Sequence, residues 1–266
     1  MSFKAVREGP LEYLRSDMLS ARHAFSTRLG GVSVGQLQSL NLGIHRGDRP
    51  INVLQNWRRF AAAVGFDWKR VVFTRQIHTN VVRAVTAADC GRGLFFPVAD
   101  GCDALMTDAP GVVLAAFSAD CTPILLQDPV CGAVCAVHAG WRGTALGIVQ
   151  TAVAAMAGAY GSRPEDIRAA IGPCIGLCCF ETHQDVPDAM CAALGGDAMA
   201  AIVPADGGKF HVDLKKLNAI WLRRAGVGHI DISSACTACE PDRFWSHRRV
   251  GDQRGSLAAV ITCPGP

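Results

Sequence analysis

Long apolar runs and basic runs are both missing from this 266-residue chain: no Lys/Arg run exceeds two residues. Apolar stretches break on Gly, Pro or charge well short of the roughly 18 to 20 residues that a membrane-spanning helix needs. The first absence excludes a transmembrane helix as a sequence reading. The second, with a formal net charge of only +3, removes the counter-ion basis for nucleic-acid binding. The N-terminal stretch MSFKAVREGPLEYLRSDM lacks the basic start, apolar centre and small-residue cleavage site of a secretory signal, so the expected location is the cytoplasm. Also absent are G-x-G-x-x-G and Walker loops, which disfavours a nucleotide cofactor bound in those ways. Neither H-E-x-x-H nor G-x-S-x-G occurs. No internal repeat, low-complexity tract or linker divides the chain, so residues 1–266 are expected to form one domain.

What is present is a chain that is 50% apolar and only 18% charged, enough to bury a core without covalent staples. Its 12 cysteines are therefore expected to be mostly free thiols, small hydrophobes in a reducing compartment. Residues 22–26 and 71–74 read as short strands, and residues 50–64, PINVLQNWRRFAAAV, as a helix with proline at its start. The stretches GVVLAAFSADC and CGAVCAVHAG have the continuous apolar character of strands buried on both faces, joined by a hairpin-like QDPVCG. TALGIVQTAVAAMAGAY then carries Leu146, Val149, Val153 and Met156 at helical spacing. SRPE at residues 162–165 has a capping-box pattern, IRAAIG reads as a strand, and Asp213 as the cap of VDLKKLNAIWLRRAG. HIDIS and SLAAVITC supply late strands, and the mixture favours a layered α/β or α+β domain.

Three clusters carry candidate chemistry: Gln76-Ile77-His78, Ser118-Ala119-Asp120-Cys121-Thr122-Pro123, and His138-Ala139-Gly140-Trp141-Arg142-Gly143. If the two apolar stretches are neighbouring strands, Cys121 and His138 lie close together across the hairpin. Two imidazoles and one thiolate would leave a fourth tetrahedral position open, the pattern of a catalytic rather than a structural zinc. A helix beginning near Gly143 would turn its amide end and dipole toward the same loop and welcome an anion. Arg28, Arg142, Arg248 and Arg249 are either forks for a phosphate or carboxylate, or solvated surface arginines. Cys236-Thr237-Ala238-Cys239 is a C-x-x-C of the kind that binds metal or cycles a disulfide, but no second pair at zinc-finger spacing accompanies it, so its replacement is expected to leave the zinc content unchanged. The run from Ile171 to Glu181, with Cys174, Cys178 and Cys179, reads either as a second metal patch or as a tight turn with small buried thiols.

The ordered blocks FSTRLGGVS, NLGIHRGD, QIHTNVV, ADGCDALMTDAPGVVLAAFSADCTPILL, AVHAGWRGT, IGPCIGLCCFE and SHRR resemble the YfiH or laccase-domain family, described as purine nucleoside phosphorylases and formerly as polyphenol oxidases. The resemblance implies a single layered α/β/β/α fold and a zinc held by His78, Cys121 and His138. It implies phosphorolysis of adenosine, inosine, guanosine and methylthioadenosine, with adenosine deamination in the same pocket. Some bacterial members are similar to peptidoglycan-editing enzymes acting on a muropeptide precursor that carries a serine. His247 stands where the family often has Tyr. Within that reading Asp120 is the candidate acid/base or ligand-orienting group, Arg28, Arg142 and Arg249 are the candidate phosphate clamp, and Cys174 is a pocket residue. The expected partners are a purine nucleoside and phosphate, with the chain a monomer or homodimer. Two other readings share these residues. A copper oxidase would draw on the same ligands but needs more paired histidines, and a zinc-stabilised interaction module would need a fourth protein ligand.

Overall fold

The computed structural model describes residues 3–98 and 100–264, and it distributes the apolar strands between two stacked sheets. The first runs β1 (Phe3–Glu8), β2 (Leu11–Ser16), β3 (His23–Ser26), β15 (Leu257–Thr262), β7 (Val113–Ser118) and β4 (Val71–Val72). The second runs β14 (His229–Ile232), β10 (Arg168–Ile171), β8 (Thr122–Gln127), β9 (Val134–Ala139), β6 (Ala104–Thr107) and β5 (Val82–Ala84). Both are mixed, because β4–β7, β5–β6 and β10–β14 are parallel pairs among antiparallel ones. A small sheet of β11 (Glu181–Thr182), β13 (Lys209–Val212) and β12 (Ile202–Ala205) lies apart.

Strands β8 and β9 are buried along their whole length because each face has its own cover. Leu125, Val134 and Ala136 point into the layer between the sheets with Phe25, Leu114 and Ala259. Their alternates Ile124, Leu126, Cys135 and Val137 face outward and meet α3 (Ile148–Tyr160) and α5 (Leu214–Arg224). The first sheet is covered on its outer face by α1 (Pro50–Val64), which buries Val53, Trp57 and Phe60 against Val71, Val113 and Val260. The layers are thus α/β/β/α, as the sequence blocks imply. A buried polar residue on α1 serves the loops. Asn56 accepts from the Val32 amide and donates to the Ser33 hydroxyl and the Asn41 carbonyl, each at 2.8 Å, fixing the segment that leads to Arg46.

Three local expectations differ from the structure. The stretch ending at Cys121 is not the neighbour of His138: β7 belongs to the first sheet, and the chain crosses to the second at Ala119–Cys121 before β8 pairs with β9, Pro123 opposite His138. Asp120 makes that crossing with a positive φ of 92°. The long helix starts at Ile148, not near Gly143. Gly147 takes φ 70° and separates it from the short α2 (Trp141–Ala145), which leaves Leu146 exposed. The SRPE segment caps no helix, since only a turn fits before β10, and Arg163 pairs with Asp166 instead. By contrast α1 has the expected bounds, and Asp213 caps α5 by accepting from the Lys216 amide at 3.0 Å. The remaining helices are α4 (Asp185–Leu194) and α6 (His247–Val250).

Candidate metal centre

His138 is the penultimate residue of β9, Cys121 immediately precedes the neighbouring β8, and His78 arrives on the irregular segment after β4. Side-chain pairing replaces strand pairing in that irregular segment. The Gln76 amide donates to the Phe117 carbonyl at 2.9 Å and accepts from the Phe117 amide at 2.6 Å, binding residues 75–79 to the end of β7. His78 then adopts φ 61°. His78 and Asp120 are the non-glycine residues with positive φ among those described, and both lie at this site, where stored backbone strain tends to collect.

A buried carboxylate absent from the sequence reading organises two of the three groups. Asp103, immediately before β6, accepts from the amides of His78 at 3.0 Å and Thr79 at 2.8 Å and from the Thr79 hydroxyl at 2.9 Å. Its other role is to hold the His138 ring through Nδ1 at 2.9 Å, while its own carbonyl accepts from the His138 amide at 2.7 Å. One side chain thereby orients an imidazole and a backbone turn, and leaves Nε2 of His138 directed away from the carboxylate. Burial alone would raise the Asp103 pKa, but the His138 and Thr79 hydrogen bonds bring it down to about 2.

The nitrogen and sulfur atoms of His78, Cys121 and His138 lie within 4.8 Å of one another, Cys121 Sγ standing 3.9 Å from His78 Nε2. The two rings cross at 87° with centroids 4.9 Å apart, an edge-on arrangement that keeps their nitrogens convergent. Bond lengths of roughly 2.0 to 2.3 Å to a tetrahedral zinc put ligand atoms roughly 3.3 to 3.8 Å apart, so the group fits such an ion with small closure. Gly140 also argues for a built cradle: a Cβ there would stand 2.8 Å from the His78 ring and 3.2 Å from Cys121 Sγ. Cys121 and His138 favour each other's charged form. Burial opposes both charges, yet His138 lowers the Cys121 thiol to about 6, and Cys121 with Asp103 raises His138 to about 9.

All three groups line an open cavity of about 690 Å³ whose walls include Phe73, Phe95, Phe96 and Phe117. Arg46, Arg75 and Arg254 line it too. Arg254 is lowered to about 10 by burial and then by the like charge of Arg46, so two guanidiniums share a partly enclosed space that an anion would relieve.

The other sequence candidates lie outside this lining. Arg28 sits over the Trp245 ring at 3.7 Å and donates to the Gln38 and Pro241 carbonyls. Arg249 donates to the Ala238 carbonyl at 2.6 Å, and Arg142 is exposed over Trp141. Cys174 is fully buried, its thiol on the Ile175 carbonyl and pushed up to about 12 by burial. Asp120 directs its carboxylate to the Thr237 hydroxyl at 2.6 Å, the Ser246 hydroxyl at 3.1 Å and the Arg248 amide at 2.6 Å. Three donors thus converge on the carboxylate of the residue next to Cys121. The arginines that do line the cavity, Arg46, Arg75 and Arg254, stand in three separate loops with no shared motif or spacing to mark them.

Residues 22–264 match the family model described as multi-copper polyphenol oxidoreductase laccase. The chain is 40% identical to the purine nucleoside phosphorylase of Deinococcus radiodurans, over 96% of this chain and 94% of that one. It is 39% identical to purine nucleoside phosphorylase YlmD of Geobacillus stearothermophilus, over 89% and 88% respectively. The crystal structure of Bacillus licheniformis hypothetical protein YfiH superposes with a TM-score of 0.92 at 35% identity, covering 97% of this chain and 98% of the other.

Proposed function

Because the chain belongs to the YfiH or laccase-domain family, we propose that it is a zinc-dependent purine nucleoside phosphorylase that also deaminates adenosine. The observation that carries this reading is the convergence of His78, Cys121 and His138 on a cavity with both aromatic walls and facing arginines. A nucleoside needs an apolar surface for its base, and phosphate needs guanidinium forks. Phe95, Phe96 and Phe117 supply the first and Arg46, Arg75 and Arg254 the second, in place of the clamp of Arg28, Arg142 and Arg249 expected from the sequence. Zinc at the three ligands would supply Lewis acidity and, for deamination, acidify water.

In phosphorolysis a phosphate oxygen bonds to the ribose carbon as the carbon–nitrogen bond breaks, and the purine departs with a proton. The chain's share is to hold the dianion between Arg46 and Arg254, seat the base on the phenylalanines, and fix the ligand rings through Asp103. Asp120 keeps the Cys121 crossing rigid. Twelve free thiols support placement in a reducing compartment such as the cytoplasm.

The test is incubation of metal-loaded protein with adenosine, inosine, guanosine and methylthioadenosine, with and without phosphate, under air and anaerobically. Free base and the matching pentose 1-phosphate (5-methylthioribose 1-phosphate from methylthioadenosine) that require phosphate but not oxygen are expected, with inosine accumulating from adenosine when phosphate is left out. Absence of base release would sink the phosphorylase reading, and turnover only with oxygen would transfer the site to an oxidase. A serine-bearing muropeptide precursor run in parallel would, if it alone reacted, transfer it to peptidoglycan editing.

A further inference from the structure

The sequence pairs Cys236 with Cys239 and finds no matching pair, but the fold supplies one. The turn that carries Cys178 and Cys179 packs against the Cys236–Cys239 turn, and the four sulfurs all lie within 4.8 Å of one another. Cys239 Sγ is 3.4 Å from both Cys178 Sγ and Cys179 Sγ, too far for a disulfide at roughly 2.05 Å. We propose that Cys178, Cys179, Cys236 and Cys239 form a second, structural zinc site.

Several features besides the sulfurs point to a metal. Four ligands at roughly 2.3 Å from a tetrahedral zinc stand roughly 3.8 Å apart, which these positions meet with shifts smaller than an ångström. Each pair sits on a tight turn: the amides of Cys179 and Phe180 both donate to the Gly176 carbonyl, and those of Cys239 and Glu240 to the Cys236 carbonyl. The turns are joined by the Gly176 amide donating to Cys236 Sγ at 3.1 Å. Gly176 is the residue that lets them close, since a Cβ there would stand 3.2 Å from both Cys178 Sγ and Cys236 Cβ.

Charge is balanced locally. Zinc binding to four thiols releases four protons and leaves a net charge of −2. Arg248 donates to the Cys179 and Glu181 carbonyls at 3.0 Å, and Arg249 to the Ala238 carbonyl, so two guanidiniums are tied to the ligand turns themselves. The carboxylates nearby are already paired, Glu181 with Lys209 and Glu240 with Arg243. The site also reaches the first one mechanically. The Ile175 amide donates to the Asp120 carbonyl and Thr237 to its carboxylate, so both cysteine turns grip the residue before Cys121. Fixing the turns with zinc would fix that ligand.

Protein purified under reducing conditions is counted for metal by native and elemental mass spectrometry. Two zinc ions per chain are expected, falling to one in Cys178→Ser/Cys179→Ser, to one in Cys236→Ser/Cys239→Ser, and to one in His78→Ala/His138→Ala. A single zinc that both serine pairs retain would overturn the site, and iron in the cluster would overturn its assignment to zinc. If the serine pairs do not fold, the wild-type chain still decides the matter. The exposed Cys178 and Cys239 should resist alkylation until a chelator is added, and equal alkylation with and without chelator would overturn the proposal.

Discussion

The two sulfur-bearing clusters differ by one donor atom and by the groups that support them. His78, Cys121 and His138 offer three atoms and border a cavity of about 690 Å³. Cys178, Cys179, Cys236 and Cys239 offer four, set where two backbone turns are hydrogen-bonded together. A tetrahedral ion held by the first keeps one position for a reactant, whereas the second would spend all four on the protein. The difference extends to the shell around them. A buried carboxylate raises the basicity of an imidazole in one, and guanidiniums offset excess sulfur charge in the other.

The sharpest break in this contrast comes from His78→Ala, Cys121→Ala and His138→Ala. Each should remove the metal of the first site and reduce turnover to background, because two remaining ligands hold an ion weakly. The cysteine cluster and the stacked sheets do not depend on these side chains, so circular dichroism should stay near wild type. Full metal and full turnover in Cys121→Ala would sink the thiolate's assignment. Next in size is Asp103→Asn, expected to weaken metal binding by roughly 10- to 100-fold, measured by competition with a chelating dye. It should also cost about 1 to 3 kcal/mol of stability, since buried amides and His138 lose a charged partner. Unchanged metal affinity would show that the carboxylate does not tune the site.

Asp103 also marks the limit of what the sequence discloses. The layered architecture was legible because β7 and β9 carry continuous apolar runs and α1 has Pro50 at its start and Gly65 at its end. His78, Cys121 and His138, which the fold brings together, stood out in the sequence as imidazoles and a thiolate next to turns. Asp103 was not, because one acidic residue before a strand carries no spacing signal, and its value comes from being buried between two segments 25 and 35 residues away. The crossing at Asp120 was hidden because periodicity does not say which of two sheets a strand joins. For the same reason the C-x-x-C of Cys236 and Cys239 read as unpartnered: its partners lie about 60 residues back, on adjacent positions that match no zinc-finger spacing.

The cavity arginines separate anion binding from metal binding. Arg254→Ala should raise the KM for phosphate by roughly 10-fold, the loss of about 1.4 kcal/mol expected of one charge-assisted contact, with metal content unchanged. An unchanged phosphate KM would remove Arg254 from the clamp. A pH series on metal-stripped protein tests the ion pair. The raised His138 contributes stability fully below about 6.5 and loses it as pH rises through about 9, while the depressed Cys121 contributes fully above about 9 and loses it as pH falls through about 6. Their opposing slopes cancel in between. The pair's contribution to the difference in urea midpoint between wild type and His138→Ala should therefore be level from about 6.5 through about 9 and beyond, and shrink only as pH falls through about 6. A steady slope through that window would show that the pair does not form.

The smallest effect is expected at Arg142, which the sequence places in the phosphate clamp and the structure places over the exposed face of Trp141. Its guanidinium lies 4.3 Å from that ring, outside the cavity lining, and it belongs to a helix of only five residues, too short for a sizeable dipole. An exposed cation–π contact is worth roughly 0.5 to 1 kcal/mol to the fold and nothing to a ligand it does not reach. Arg142→Ala should leave both Michaelis constants within a factor of roughly 2 of wild type, with the melting temperature down by roughly 1 to 2 °C for a chain of this size. The measurement is paired with Arg254→Ala in the same assay. If Arg142→Ala raised the phosphate KM as much as Arg254→Ala does, the anion would have to bind on the α2 side of His78, Cys121 and His138, and the division between an aromatic–arginine cavity and a four-thiol cluster would have to be redrawn.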